Sequence, residues 1–446
     1  MKPLFKGILF AVAMLASGAQ AATTADDIQA FTLKNGMKIM VLPDTSIPNA
    51  NMYIFWKVGS RNEYPGITGL SHFFEHMMFN GAKKYGPKMF DRTMEAAGGS
   101  NNAYTTENLT VYTNWFPATA IETIFALEAD RIADLAIEEG MVESERGVVS
   151  SERTTGLENS NFRAIWQEVK GAAFRAHPYS WPVIGHASDI ENWSLDDLKQ
   201  YHKTYYAPNN AVVVISGDVK LAEVKTLANK YFAPIPAQAE PKKIHTREPE
   251  QTGERRVYVQ KASVTTPNIM MAYHVPNSRH PDFYALELLN DILATGKSSR
   301  LYRALVNEQQ IASDVFAYFP KSLDANLFYL YGVAARDIKA GILEKALNKE
   351  VNNIIRQGVS AQELQKVKNR KLVDFYRNMS TINGKSDAIG TYELYFDDYR
   401  KLFLAPKEYN KVTADDIRRV AQTYLVKANR TVGVLSSQKD SFEDDI

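Results

Sequence analysis

The sequence predicts an α+β protein of two homologous domains, each a mainly antiparallel sheet packed with helices. Three observations lead there. The chain has 446 residues, too many for one ordinary core. Short alternating runs and runs of helical period are interleaved along its length. A pattern in the middle of the chain also returns near its end. Ser194-Leu195-Asp196-Asp197-Leu198 matches Thr413-Ala414-Asp415-Asp416-Ile417, and Thr204-Tyr205 matches Thr423-Tyr424. Asn210 matches Asn429 and Val213 matches Val432, all at one offset of 219 residues. In both places a helix of one length leads to a strand, as in a duplicated unit.

The elements follow in order. Residues 28–42 alternate around Asn35-Gly36, a hairpin signal. A strand is expected at 51–58. Gly66 opens a segment that becomes an apolar helix. A second helix, 89–97, stops at Gly98-Gly99. Residues 101–116 alternate and read as strands. Helices are expected at 118–135, 138–153 and 161–174. Then come a helix at 195–206, a strand at 211–216 and a helix at 220–231. Residues 234–253, rich in Pro, Lys, Glu and Gln, lack periodicity and read as an inter-domain linker. The pattern restarts with strands at 257–260 and 269–274 and a helix at 283–294 ending at Gly296. The expected organisation is a signal peptide over 1–21, a first domain over 22–235, a linker over 236–252 and a second domain over 253–446.

The N-terminal expectation rests on Lys2 and Lys6, the apolar run from Gly7 to Ala16, and Ala19-Gln20-Ala21 as a small-x-small cleavage site. No later stretch is long and apolar enough to span a bilayer. The chain is therefore expected to be exported, soluble and periplasmic. Its formal net charge is +1, with 23% charged residues, so nothing points to nucleic acid or an acidic membrane surface as partner. Cysteine is absent. Any metal must then be held by His, Asp or Glu, a donor set that suits a catalytic zinc better than a thiolate-rich structural one.

Such donors stand in Ser71-His72-Phe73-Phe74-Glu75-His76-Met77. Residues four apart share a helical face, so His72 and His76 can point at one ion. Glu75 lies on nearly the same face, where a carboxylate can take a proton from a water molecule. H-x-x-E-H is the reverse of the commoner H-E-x-x-H order. A catalytic zinc usually has three protein ligands. The helix at 138–153 carries Glu143, Glu145 and Glu152. Glu145 and Glu152 are two turns apart and share a face. One could ligate while the other holds a ligating histidine. The histidines His186, His202, His245, His274 and His280 show no ligand spacing.

These motifs resemble the inverzincin family, which includes pitrilysin, insulin-degrading enzyme and the mitochondrial processing peptidase. The resemblance covers nearly the whole chain after residue 21. In that family H-x-x-E-H precedes a helix reading roughly Glu-Arg-x-Val-x-x-x-Glu, and Glu145-Arg146-Gly147-Val148-Val149-Ser150-Ser151-Glu152 fits without a gap. The resemblance implies one zinc per chain, with Glu152 as third ligand, Glu145 supporting a histidine, and Glu75 as general base of an endopeptidase. Gly98-Gly99-Ser100-Asn101-Asn102-Ala103-Tyr104-Thr105 resembles the family's substrate-binding edge strand. It implies that Asn102, Ala103 and Tyr104 hold a peptide added as an extra strand. His177-Pro178-Tyr179 and Gly185 match a family stretch that reads as structural. On the duplication, the helix ending at Gly296 offers Glu287, Asn290 and Asp291 where the first has His72, Glu75 and His76, so the second domain is expected to lack the metal.

One departure bears on assembly. Self-sufficient family members carry an Arg and a Tyr, seven residues apart, that reach substrate and oxyanion. They follow a Ser-Arg-Leu-aromatic stretch, here Ser299-Arg300-Leu301-Tyr302, and the matching positions are Val306 and Ser313. Losing one such donor typically costs about 2.7–4 kcal/mol of transition-state stabilisation. The sequence thus implies the zinc-bearing subunit of a heterodimer whose homologous partner supplies the pair and closes a chamber around the peptide. The alternatives are a self-sufficient homodimer and a non-catalytic scaffold relative.

Overall fold

Residues 23–437 are described in a computed structural model of the chain. The segment read as a signal peptide lies outside them. The first sheet and its helices run β1 (Gln29–Thr32), β2 (Lys38–Pro43), β3 (Asn49–Trp56), α1 (Leu70–Met77), α2 (Met89–Ala96), β4 (Ser100–Thr105), β5 (Thr110–Pro117), α3 (Ile121–Asp134), α4 (Glu139–Asn159), α5 (Asn161–Ala173), α6 (Ala187–Asn192), α7 (Leu195–Tyr205), β6 (Ala211–Gly217) and α8 (Leu221–Tyr231). The second set runs β7 (Arg255–Gln260), β8 (Asn268–Val275), α9 (Phe283–Ala294), β9 (Ala312–Tyr318), β10 (Asn326–Ala334), α10 (Ala340–Gln357), α11 (Ala361–Asn378), α12 (Ile382–Phe396), α13 (Lys401–Lys411), α14 (Ala414–Tyr424) and β11 (Arg430–Ser436). A π-helical turn, Tyr302–Glu308, precedes β9.

Apart from the additional edge strand β1, the two sheets have one topology. Their orders are β1-β2-β6-β3-β5-β4 and β7-β11-β8-β10-β9. Each is antiparallel apart from one parallel pair, β2 with β6 and β7 with β11. The repeat read from sequence has a hydrogen-bond counterpart. Ser194 and Asp197 form a capping box on α7, and Thr413 and Asp416 form the same box on α14. The Asn210 amide donates to the Tyr205 carbonyl at 2.8 Å, and the Asn429 amide donates to that of Tyr424 at 2.8 Å. A Ser, Thr or Asn side chain at a helix boundary satisfies backbone groups the helix leaves open. That is why these positions stand out in both copies.

Between α8 and β7, residues 236–252 carry no helix or strand. They are pinned to their surroundings. Asn209 exchanges two hydrogen bonds with the Gln238 backbone. Glu248 accepts from the backbone N–H groups of Arg175, Ala176 and His177. Gln251 is buried and donates to the Arg430 carbonyl at 2.7 Å.

Both sheets are covered on both faces, and the outer cover is exchanged. In β2, Ile39 and Val41 face the helices of their own unit, while Met40 and Leu42 pack against Ile389, Tyr392 and Phe396 of α12. Reciprocally, Ile165, Val169 and Ala173 of α5 pack on Met270, Ala272 and Leu435 of the second sheet. Buried polar contacts key the α12 side. Ser386 donates from its hydroxyl to Asn51 at 2.7 Å, and Asn51 donates to Asn383 at 2.9 Å. The two units therefore share their cores. A Cβ on Gly390 of α12 would clash with the Phe55 ring. Alanine in a helix interior normally gains about 1 kcal/mol over glycine. Overpacking against a buried ring costs about 1–3 kcal/mol, so the clash decides the sign. Gly390→Ala is expected to lower the urea midpoint of unfolding, and an unchanged or higher midpoint would show that the two units are not wedged together there.

Candidate metal centre

Helix α1 is buried on most of its circumference. Leu70, Ser71, Phe73, Phe74 and Met77 are buried. The remaining narrow face carries His72, Glu75 and His76. The Tyr112 hydroxyl, from β5, donates to the Phe74 carbonyl at 2.9 Å and fixes the helix against the sheet. The helix begins at Leu70, four residues after Gly66, because residues 66–69 form a held turn. Gly69 has φ +92°, and a Cβ there would meet the Ile184 carbonyl at 2.5 Å. Only glycine fits both demands. Buried Glu63 accepts from the N–H groups of Gly69 (2.7 Å) and Ser71 (2.8 Å), capping the helix. Burial pushes its carboxyl up to about 8 against the opposing effect of those bonds. Asp189 accepts from the Gly66 and Thr68 N–H groups.

Helix α4 faces α1. It runs six residues beyond the expected end at Arg153. Only Val142 and Val149 are buried along it, and Arg146 anchors it by donating to the Ile190 carbonyl and, at 2.8 Å, to that of Trp193. This places Glu145 and Glu152 beside the histidines. One oxygen of Glu152 lies 3.6 Å from His72 Nε2 and 3.5 Å from His76 Nε2. Glu145 lies 2.8 Å from His76 Nδ1. Among the described residues, His72, His76 and Glu152 are the one group of three or more His, Cys, Asp or Glu placed to share an ion, with ligand atoms within 4.8 Å of one another.

The donor set fits a zinc ion. Glu145 accepts from the Nδ1–H of His76, so loss of the other ring proton, which faces Glu152, would leave the Nε2 lone pair for an ion, an arrangement that sets the ligating tautomer. His72 Nδ1 is buried without a partner. Burial and the neighbouring His76 pull the His72 imidazole down to about 4, so it is neutral at pH 7. Burial also pulls on His76, but Glu145 and Glu152 outweigh it and push that imidazole up to about 9. Glu145 and Glu152 are both held below the usual carboxylate range, first by contact with His76. In the metal-free chain one proton thus sits on His76 at neutral pH, and a metal must displace it. Zinc uptake at pH 7.5 is expected to release about one proton, and affinity to rise about tenfold per pH unit up to about 9 and then flatten. Calorimetry in buffers of different ionisation enthalpy measures this. A flat affinity from pH 7 to 9 would sink it.

Glu75 has a partner that sequence reasoning missed. The Thr105 hydroxyl, from β4, donates to its carboxylate at 2.6 Å. Burial raises the Glu75 carboxyl, and the Thr105 bond opposes that rise. Asn80 is a second omission, donating to Glu145 at 2.7 Å. Alternation along β4 was the available signal for Thr105, since residues 101, 103 and 105 share one sheet face. Strand β4 pairs with β5 alone, at the sheet edge, so its outer backbone groups are open beside the cluster. Asn102 accepts locally from the Ala103 N–H at 2.9 Å. The Tyr104 hydroxyl turns to the other face and donates to Asp387 of α12 at 3.0 Å. His177 is buried and accepts from the Tyr179 N–H at its Nδ1, a local structural role.

In the second unit, α9 carries Glu287, Asn290 and Asp291. Lys371, which stands 219 residues after Glu152, lies 3.2 Å from Asp291, and Glu287 accepts from the Tyr409 hydroxyl and lies 3.9 Å from Lys321. Lysine and tyrosine partners stand around these carboxylates where the first unit gathers histidines.

A two-unit α/β chain of this topology, with two imidazoles and a carboxylate converging from facing helices, belongs to a known family. Residues 39–186 match the model of the insulinase family (peptidase family M16), and residues 192–371 match that of the M16 inactive domain. The chain is a member of peptidase family M16. It is 30% identical to the zinc protease PqqE of Helicobacter pylori, over 90% of this chain and 91% of that one. A crystal structure of a protease from Helicobacter pylori superposes with a TM-score of 0.89 at 29% identity, covering 92% of this chain and 99% of the other. A probable mitochondrial-processing peptidase subunit beta from Schizosaccharomyces pombe is 24% identical over 94% of this chain and 93% of its own.

Proposed function

We propose that this chain is a zinc-dependent endopeptidase, exported to the periplasm, that works with a homologous partner subunit around an enclosed peptide. One observation carries the reading. His72, His76 and Glu152 converge within ligand reach of one another, and Glu75 stands beside them against an open sheet edge. His72, His76 and Glu152 would hold the metal. When bound, zinc supplies Lewis-acid polarisation of the scissile carbonyl and brings the pKa of its water to about 7.

The protein's own groups do the rest. A peptide laid along β4 adds as a further strand, so backbone hydrogen bonds fix its scissile bond beside α1. Glu75 takes the proton of the attacking water and returns it to the leaving amine. Thr105 bridges the two tasks, since its backbone lies in the substrate-facing strand and its hydroxyl orients the base. Thr105→Val is expected to lower kcat about tenfold, the worth of one hydrogen bond to a charged group, with KM within about twofold. Thr105→Ser should restore it. A Thr105→Val enzyme with wild-type kcat would remove Thr105 from the base's support.

The partner reading rests on what stands where the clamp is expected. Val306 packs against the second unit's core. The Ser313 hydroxyl donates within its own sheet to Val333, at 3.3 Å. Arg300 is bound to Glu363 and the Gly358 carbonyl. Among these residues no guanidinium or phenol is left for an oxyanion. Zinc analysis and peptide hydrolysis, with and without a chelator, on protein co-purified from its native extract test the whole reading. Metal-free, chelator-insensitive protein would point to a scaffold.

A further inference from the structure

Beside the proposed metal ligands lies a pocket of about 180 Å³ whose lining includes His72 and Glu152. Its walls are apolar, formed by Leu157, Trp166, Pro182 and Ile184. Two cations enter it, Arg153 and Arg163. Arg153 is oriented by donating from Nε to the Gly185 carbonyl at 3.0 Å. Arg163 lies across α4 at Gly156, where even a Cβ would meet its Nη1 at 2.6 Å. It projects from α5 opposite the face that Ile165 and Val169 bury. Neither guanidinium has an ion-pair partner among the described residues. The one carboxylate in the pocket is Glu152, which the imidazoles face.

We propose that this pocket receives an acidic side chain, Asp or Glu, from a substrate residue flanking the scissile bond. The proposal rests on the peptidase reading above. With Glu152 engaged as a ligand, the pocket holds two positive charges and no other carboxylate, the remaining polar side chain of its lining being the neutral Gln167. The apolar walls suit the methylene stem of a glutamate, and its carboxylate then meets guanidinium groups by charge-assisted bonds. A leucine would fill the same space but bring neither cation a counter-charge. A lysine would meet two like charges.

The test uses peptides capped at both ends that differ at one position flanking the cleaved bond, with Glu, Gln, Leu or Lys there. They are offered to the zinc-loaded chain with its partner subunit. kcat/KM is expected to be highest for Glu, by at least about tenfold over Leu and Lys. Arg163→Glu should invert the order of Glu and Lys, and Arg163→Gln should flatten it, with zinc content and melting temperature retained. Cleavage indifferent to that residue, or an order that survives Arg163→Glu, would overturn the proposal. Fluorescence anisotropy of the same peptides on the zinc-loaded Glu75→Gln chain gives a second readout. Selective, Arg163-dependent binding of the Glu peptide, with no cleavage by the wild type, would keep the pocket and sink the peptidase reading. Cleavage without charge selection would do the reverse. An arm with free C-termini identifies the source of the carboxylate. Binding confined to uncapped peptides would assign the pocket to a chain terminus and overturn the side-chain proposal.

Discussion

Glu75→Gln is expected to keep about one zinc per chain and to lose turnover by about a thousandfold. The separation follows from position. Glu75 is on the same helical face as His72 and His76, yet its carboxylate is bonded to Thr105 and it is not among the three converging ligands. Removing its charge leaves the donor set intact and removes the group that accepts the water's proton. Positioned acid–base groups contribute typically 10²- to 10⁴-fold. Glutamine keeps the size and can still accept from Thr105, so the fold should be undisturbed. Metal analysis beside single-turnover peptide cleavage measures both halves. Wild-type turnover in the mutant would show that the proton goes elsewhere, and loss of zinc would make Glu75 part of the metal's support.

The second large effect concerns assembly. The purified chain, loaded with zinc but alone, is expected to cleave peptide at least about 10²-fold more slowly than the complex with its homologous partner, the typical cost of one missing oxyanion donor. Two donors are absent here, and their effects need not add, so that figure is a lower bound. kcat per zinc, measured for the lone chain across a dilution series and then after titration with the partner, reads this directly. Full activity in a monomer of measured mass would end the two-subunit reading. Activity that rises with the chain's own concentration, together with a doubled mass, would replace it with a homodimer.

Much of the site was legible because it is local. The i, i+4 spacing of His72 and His76, and the two-turn spacing of Glu145 and Glu152, follow from helical geometry alone. The duplication was legible because capping residues such as Ser194 and Thr413 answer a requirement of any helix end. Between Gly296 and Thr413 the sequence predicts no helix or strand, and α12 shows why. It buries Lys385, Ser386 and Gly390 along with Ile389 and Tyr392, because it is wedged between its own unit and the first sheet. A helix covered on several sides by small and polar contacts presents no clean apolar stripe. The start of α1 at Leu70, four residues after Gly66, was not legible because the groups that hold the turn, Glu63 and Asp189, lie outside the segment.

The amino-acid order by itself settled which side chains share a helical face, where the chain repeats, and that any metal would meet imidazole and carboxylate. Only the folded chain decided that α4 crosses α1 at ligand distance, that a strand threonine reaches Glu75, and that α5 and α12 trade places so that each covers the other unit's sheet. The reason is one of range. Periodicity and capping act over a few residues and leave their mark in any window of the chain, whereas the meeting of Glu152 with His72 depends on how two helices pack, which no short window contains.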